Sequence, residues 1–120
     1  MGGNKSKPGL NLVVLRSPQP LRLRDFYQNL LETIFEEHTD HGPIHYGAEL
    51  GEVYLEIYPT KEKDGSRDGI GFQVGSLEEA IARVGREFLY KAPMQSSFGR
   101  TAMLKDPDAR IIHLAERNRT

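Results

Sequence analysis

The run Glu52 to Tyr58 alternates as a strand does, with Val53, Leu55 and Ile57 on one face and Tyr54, Glu56 and Tyr58 on the other. In the run Arg110 to Glu116 the same alternation groups His113 with Ile111 and Ala115. A carboxylate and an imidazole are the side chains that most often move protons. This pair therefore reads as a candidate acid–base couple, with His113 as acid or base and Glu56 as its orienting partner or as the base. Tyr54, Tyr58 and Gln73 offer ring faces and an amide to a ligand. His38, His41 and His45 crowd one short span. Asp40 and the Gly42–Pro43 pair oppose a helix that would turn His38 and His41 to one side, so these read as surface-loop histidines. His45, at the head of a strand, is kept as a ligand-contact residue.

Other chemistries are excluded. The chain has no cysteine, which removes disulfides, thiolate zinc sites, iron–sulfur clusters and cysteine nucleophiles. Gly69–Ile70–Gly71 is not a nucleotide loop, because it lies inside a strand and has no third glycine before a helix. No Ser/His/Asp nucleophile context is present.

The elements that must hold these residues can be read from periodicity. Leu10 to Leu15 is a short, nearly continuous apolar run, a buried strand. Ser17–Pro18–Gln19–Pro20 ends it and opens a helix, with Ser17 as cap. Leu23, Phe26, Tyr27, Leu30, Leu31 and Ile34 form one helix face. A weak strand near Phe35 to Thr39 and a hairpin of His45 to Leu50 with Glu52 to Tyr58 follow. Residues 60 to 69 are polar and glycine-bearing. The order then repeats: a strand at Ile70 to Val74 and a capping box at Ser76–Leu77–Glu78–Glu79. A helix face of Leu77, Ala80, Ile81 and Val84 comes next, ended by Gly85. Strands at Phe88 to Ala92, Arg100 to Lys105 and Arg110 to Glu116 close the chain, the last two joined by a turn at residues 106 to 109.

The division is therefore a flexible N-terminus (1–9) and a single domain (10–116). Module one is 10–59, the linker 60–68 and module two 69–116. The expected class is α+β: two βαβββ modules forming one curved, eight-stranded mixed sheet around a cavity, with the helices on the convex face. With 120 residues and 13.6 kDa, the length suits one such domain. Sixteen Lys and Arg balance seventeen Asp and Glu, a net charge of -1. That excludes a binder of nucleic acid or anionic membrane that works by bulk charge. No apolar run nears the length of a membrane span, and the N-terminal residues lack an apolar signal core, so the expected location is cytoplasmic.

Several segments together resemble the vicinal oxygen chelate superfamily of glyoxalase I, bleomycin- and fosfomycin-resistance proteins and extradiol dioxygenases. They are LNLVVLRS (10–17), DFYQNLL (25–31), GIGFQV (69–74), SLEEAI (76–81) and DPDARIIHLAE (106–116). The resemblance implies paired βαβββ modules and a metal site with one ligand from the first and last strand of each. Leu10, Glu56, Gly69 and His113 stand at those positions, so two are ligand types and two are not. Even catalytic zinc usually takes three protein ligands. The resemblance thus implies the metal-free, bleomycin-resistance type: a small-molecule binder with no cofactor. The alternative is a metal-dependent lyase or dioxygenase that uses Glu56 and His113 on a divalent ion, with His45 as third ligand. A third reading is an interaction protein with a vestigial cavity. The resemblance also implies a homodimer, with the site built either within one chain or across the two.

Overall fold

The structure, a computed structural model, describes residues 10–39, 42–61, 69–96 and 99–116. The N-terminus 1–9, His41 and most of the linker lie outside the described residues. Two βαβββ modules follow one another. The first holds β1 (Leu12–Ser17), α1 (Pro20–Leu31), β2 (Glu36–His38), β3 (His45–Leu50) and β4 (Val53–Pro59). The second holds β5 (Gly69–Val74), α2 (Leu77–Val84), a 3-10 turn (Arg86–Phe88), β6 (Leu89–Ser96), β7 (Gly99–Lys105) and β8 (Ile111–Glu116).

The strands order as β1-β4-β3-β2 and β5-β8-β7-β6, with the first strand of each module parallel to its last. Among the described residues the hydrogen-bonded ladder stops at β1 and β5. The expected eight-stranded sheet is therefore two four-stranded sheets, each with its first strand at an edge. The modules meet through their helices and a buried turn rather than through a β1–β5 ladder. Each sheet turns one face to the helices. Leu15, Tyr46, Ala48, Leu55, Ile57, Val74, Ala102, Leu104, Ile112 and Leu114 lie there and join Leu23, Phe26, Tyr27, Leu30, Leu77, Ala80 and Ile81 in one shared core. Arg83 of α2 donates to the backbone oxygens of Asn29 and Leu30 at 3.1 and 3.0 Å, satisfying carbonyls that the end of α1 leaves unpaired.

Helix α1 is shorter than its apolar periodicity. Glu32 adopts a left-handed conformation (φ 53°), the chain leaves the helix, and Ile34 is 82% exposed. Phe35 takes the core place instead, its N–H donating to the Gln28 side chain at 2.9 Å. Nor does Ser17 cap the helix. Gln19 is the cap residue, and the Ser17 hydroxyl accepts from the Gln19 N–H at 3.0 Å one step earlier. In α2 half of the expected capping box forms, with Ser76 Oγ accepting from the Glu79 N–H at 3.2 Å. The Leu77 N–H is taken by Glu116 at 3.0 Å. Strand β6 runs further than expected, with register shifts at Lys91 and before Met94, which suit an edge strand that contains Pro93.

The turn at residues 106–109 points its two aspartates inward: Asp106 and Asp108 are buried, while Ala109 is exposed. Asp106 accepts from the Tyr27 hydroxyl at 2.7 Å, from the Arg110 guanidinium at 2.6 Å, and from the N–H groups of Asp108 and Arg110. Arg110 also donates to the Arg16 carbonyl at 3.1 Å, and the Gln19 amide donates to Pro107 O and Asp108 Oδ1. One turn of module two is thus clasped to β1 and α1 of module one. Burial first, and then the charge and hydrogen bond of Asp106, hold the Tyr27 phenol well above its ordinary pKa.

Candidate ligand-binding site

The strand register sorts the open face of the first sheet into three lateral rows. One runs His38, His45, Tyr58, Arg16; the next Glu36, Gly47, Glu56, Val14; the last Glu49, Tyr54, Leu12. The side chains interlock across these rows. The rings of His45 and Tyr58 stack at 4.2 Å with 7° between planes. His38 lies 5.4 Å from His45, and the Arg16 guanidinium sits 5.9 Å over Tyr58. Gly47 leaves a gap that the Tyr54 ring fills; a Cβ there would stand 2.5 Å from the phenol oxygen. Through that gap Tyr54 Oη comes within 2.8 Å of His38 Nε2. Burial, with the charges of Glu36, Glu56 and Glu49, raises the Tyr54 pKa, so the phenol keeps its proton.

His45 is 4% exposed. Its Nδ1 is 3.0 Å from the Pro43 carbonyl, which can only accept, so Nδ1 carries the hydrogen and Nε2 faces Glu56 Oε2 at 4.0 Å. The expectation that His38 is a surface-loop residue is therefore corrected, and His45 stands at the head of β3 as expected. Both stand on strands, and the sheet brings together two rings that sequence spacing kept apart.

The open face of the second sheet carries Gln73, Met103, Thr101, Ala115 and His113. His113 folds over β5, where Gly69 leaves room: a Cβ at Gly69 would meet its Nε2 at 3.1 Å. A cleft of about 580 Å³ lies here, lined by Gln73, Lys91, Met94, Met103 and His113 among others. A larger cleft of about 1040 Å³ lies along the edges of β1 and β5 and is bounded by Val14, Arg16, Gly69, Gly71, Gln73 and Arg110 among others. Both clefts touch Gly71, Phe72 and Gln73, and both are in the size range of small-molecule sites.

The expected site residues thus fall into two groups. Tyr54, Glu56, Tyr58 and His45 cluster on the first sheet, and Gln73 and His113 on the second. Among the described residues no hydrogen bond or ion pair joins Glu56 to His113; the imidazole that faces Glu56 is that of His45, at 4.0 Å. The donor set does not fit a divalent ion within one chain. Among the described residues no three His, Asp or Glu side chains converge, and Leu10 and Gly69 stand at the other two ligand positions that the resemblance implies. Gly47 and Arg16 are not among the site residues expected from the sequence, and His38 is read there only as a surface-loop histidine. A glycine in a strand interior is a recognised mark of close approach and was the available signal for Gly47.

The sequence matches no family model and no curated protein. Solved structures are similar in fold. TnmS3, an antibiotic binding protein from Streptomyces sp. CB03234, has a TM-score of 0.73 and 17% identity, over 94% of this chain and 98% of that one. TioX from Micromonospora sp. ML1 has a TM-score of 0.71 and 14% identity, over 92% and 100%. A glyoxalase/bleomycin resistance protein/dioxygenase family enzyme from Burkholderia phytofirmans PsJN has a TM-score of 0.67 and 20% identity, over 89% and 97%. The chain therefore has the paired βαβββ fold of the vicinal oxygen chelate proteins.

Proposed function

We propose that the protein binds a small molecule against the open faces of its sheets, without the family's full metal site, and that two copies form a homodimer that completes the cavity. The observation that carries this reading is the open face of the first sheet. Its aromatic, imidazole and carboxylate groups contribute nothing to the core, yet they are locked to one another across three strands. A surface needed only for solubility has no reason to order such rings. The likeness in fold to an antibiotic binding protein supports the same class of function. The edges of β1 and β5, which no other strand among the described residues pairs, with Leu10, Leu12 and Val14 exposed in the first module, favour a second copy as cover.

The chain has five tyrosines and no tryptophan, so tyrosine is the intrinsic fluorophore, and Tyr54 and Tyr58 are two of its five sources. Titration with planar aromatic compounds should quench the signal in a saturable way. Tyr58→Leu should weaken the binding about tenfold, in line with the loss of one stacked ring. Saturable binding unchanged by Tyr58→Leu and His113→Ala would contradict a site on the open faces.

A further inference from the structure

On the open face of the second sheet the register sets Lys91, Met103, His113 and Gly71 in one lateral row. All four bound the cleft of about 580 Å³, and Lys91, His113 and Gly71 are exposed in it. Among the described residues that line this cleft, the polar side chains are Gln73, Lys91, Thr101 and His113. Each of them can donate a hydrogen bond, and none is a carboxylate. The larger cleft likewise has Arg16 and Arg110 on its walls and, among the described residues, no Asp or Glu. Composition does not produce this, since the chain holds seventeen Asp and Glu against sixteen Lys and Arg. Arg110 is engaged by Asp106, whereas among the described residues neither the Lys91 nor the His113 side chain has a hydrogen-bond or ion-pair partner. Met103 lies between those two side chains, and Met94, 57% exposed, adds an apolar wall. The two clefts meet over β5 at Gly71. A Cβ there would meet only His113, at an ordinary 3.6 Å, and the Gly71 backbone is not left-handed. Nothing in the described chain requires a glycine at this position, and glycine weakens a strand interior. Bare backbone here suits the close approach of a ligand.

We infer that this cleft takes a planar aromatic ligand that carries a negative charge, as a carboxylate on its ring system. The inference rests on the binding function proposed above and specifies the half of the site that lies on the second sheet. The carboxylate would meet the Lys91 ammonium. The rings would lie over Met103 and reach the bare backbone of β5 at Gly71, beside the His113 imidazole. Three strand spacings, about 14 Å, separate Lys91 from Gly71, a span that the lysine stem and a two-ring ligand fill together.

Three probes of one shape separate the possibilities at about pH 7.5: naphthalene-2-carboxylate, an anion, naphthalene-2-carboxamide, neutral, and naphthalen-2-ylmethylamine, a cation. Their affinities are measured by calorimetry for the wild-type protein, Lys91→Gln and Gly71→Ala. The inference predicts that the carboxylate binds at least about tenfold more tightly than the carboxamide and that the amine binds most weakly. Lys91→Gln should cost the carboxylate about three- to tenfold and leave the carboxamide unchanged, and added salt should weaken the carboxylate without affecting the carboxamide. Gly71→Ala should weaken the carboxylate and the carboxamide alike, about tenfold, with a urea midpoint no lower than that of the wild type. Equal affinities for the three probes would overturn the inference and leave the binding function standing. So would a preference for the anion that survives Lys91→Gln, or binding that Gly71→Ala leaves intact. Binding of none of the probes up to about 1 mM would contradict both. A light-scattering mass that is lower in Lys91→Gln than in the wild type would assign Lys91 to contact with a second copy of the chain, which also overturns it.

Discussion

Tyr54 shows how one missing side chain shapes a surface. Its ring reaches His38 only because Gly47 has no Cβ between them. Gly47→Ala should displace the ring, whose far end is free to swing, while the fold survives with a stability change of about 1 kcal/mol or less. Away from Glu36 and Glu56 and more exposed, the phenol should titrate closer to its ordinary value. A spectrophotometric pH titration of the variant should therefore show one tyrosine ionising at lower pH than in the wild type. An unchanged titration would mean that Tyr54 does not depend on the gap. Period-two alternation was enough to group Tyr54, Glu56 and Tyr58 on one face. It could not reveal His38, which stands on a three-residue strand too short to show a period, nor the pairing of His38 with His45, which depends on register between strands.

Among the elements, the turn between β7 and β8 joins the two modules by hydrogen bonds. Composition marks Asp106 to Ala109 as a turn, and that holds. That its two aspartates are buried follows from the other module, which supplies Tyr27, Gln19 and the Arg16 carbonyl, and no local pattern reports such a partner. Tyr27→Phe removes a hydrogen bond to a buried carboxylate and should destabilise the protein by about 1.5–3 kcal/mol. Because the folded pKa of Tyr27 lies above its unfolded value, its contribution is fully present below about pH 10 and is lost as pH rises beyond that. The alkaline decline in stability should flatten in the variant, as read from urea midpoints across pH. Ala109 in the same turn has a φ of 67°. That conformation costs a residue with a Cβ about 1–2 kcal/mol, partly offset by the greater entropy that glycine loses on folding. Ala109→Gly should then raise stability by about 0.5–1 kcal/mol, with the urea midpoint moving up and the m-value unchanged. The end of α1 marks the opposite limit of sequence reading. The apolar series continues to Ile34, but the left-handed turn at Glu32 and the Gln28–Phe35 hydrogen bond end the helix and send Phe35 inward.

On the scale of the whole molecule, the modules share one core on the helix side, and among the described residues no strand pairs with the outer edges of β1 and β5. The order of elements was legible because each strand and helix carries its own period. The split into two sheets was not, because it is decided by helix–helix packing and the Asp106 clasp. A homodimer would cover the β1 and β5 edges, and multi-angle light scattering at micromolar concentration should give about twice the 13.6 kDa of one chain. The central claim is that the open faces, and not the helix side or the surface at large, receive a small molecule. Its most direct test is an NMR titration of the labelled protein with naphthalene-2-carboxylate, read residue by residue. The account predicts saturable shifts concentrated at His38, His45, Glu56, Tyr58, Gly71 and His113, with the solvent face of α1 around Arg22 and Asn29 silent. Shifts centred on the helices, or spread without saturation over the surface, would contradict it.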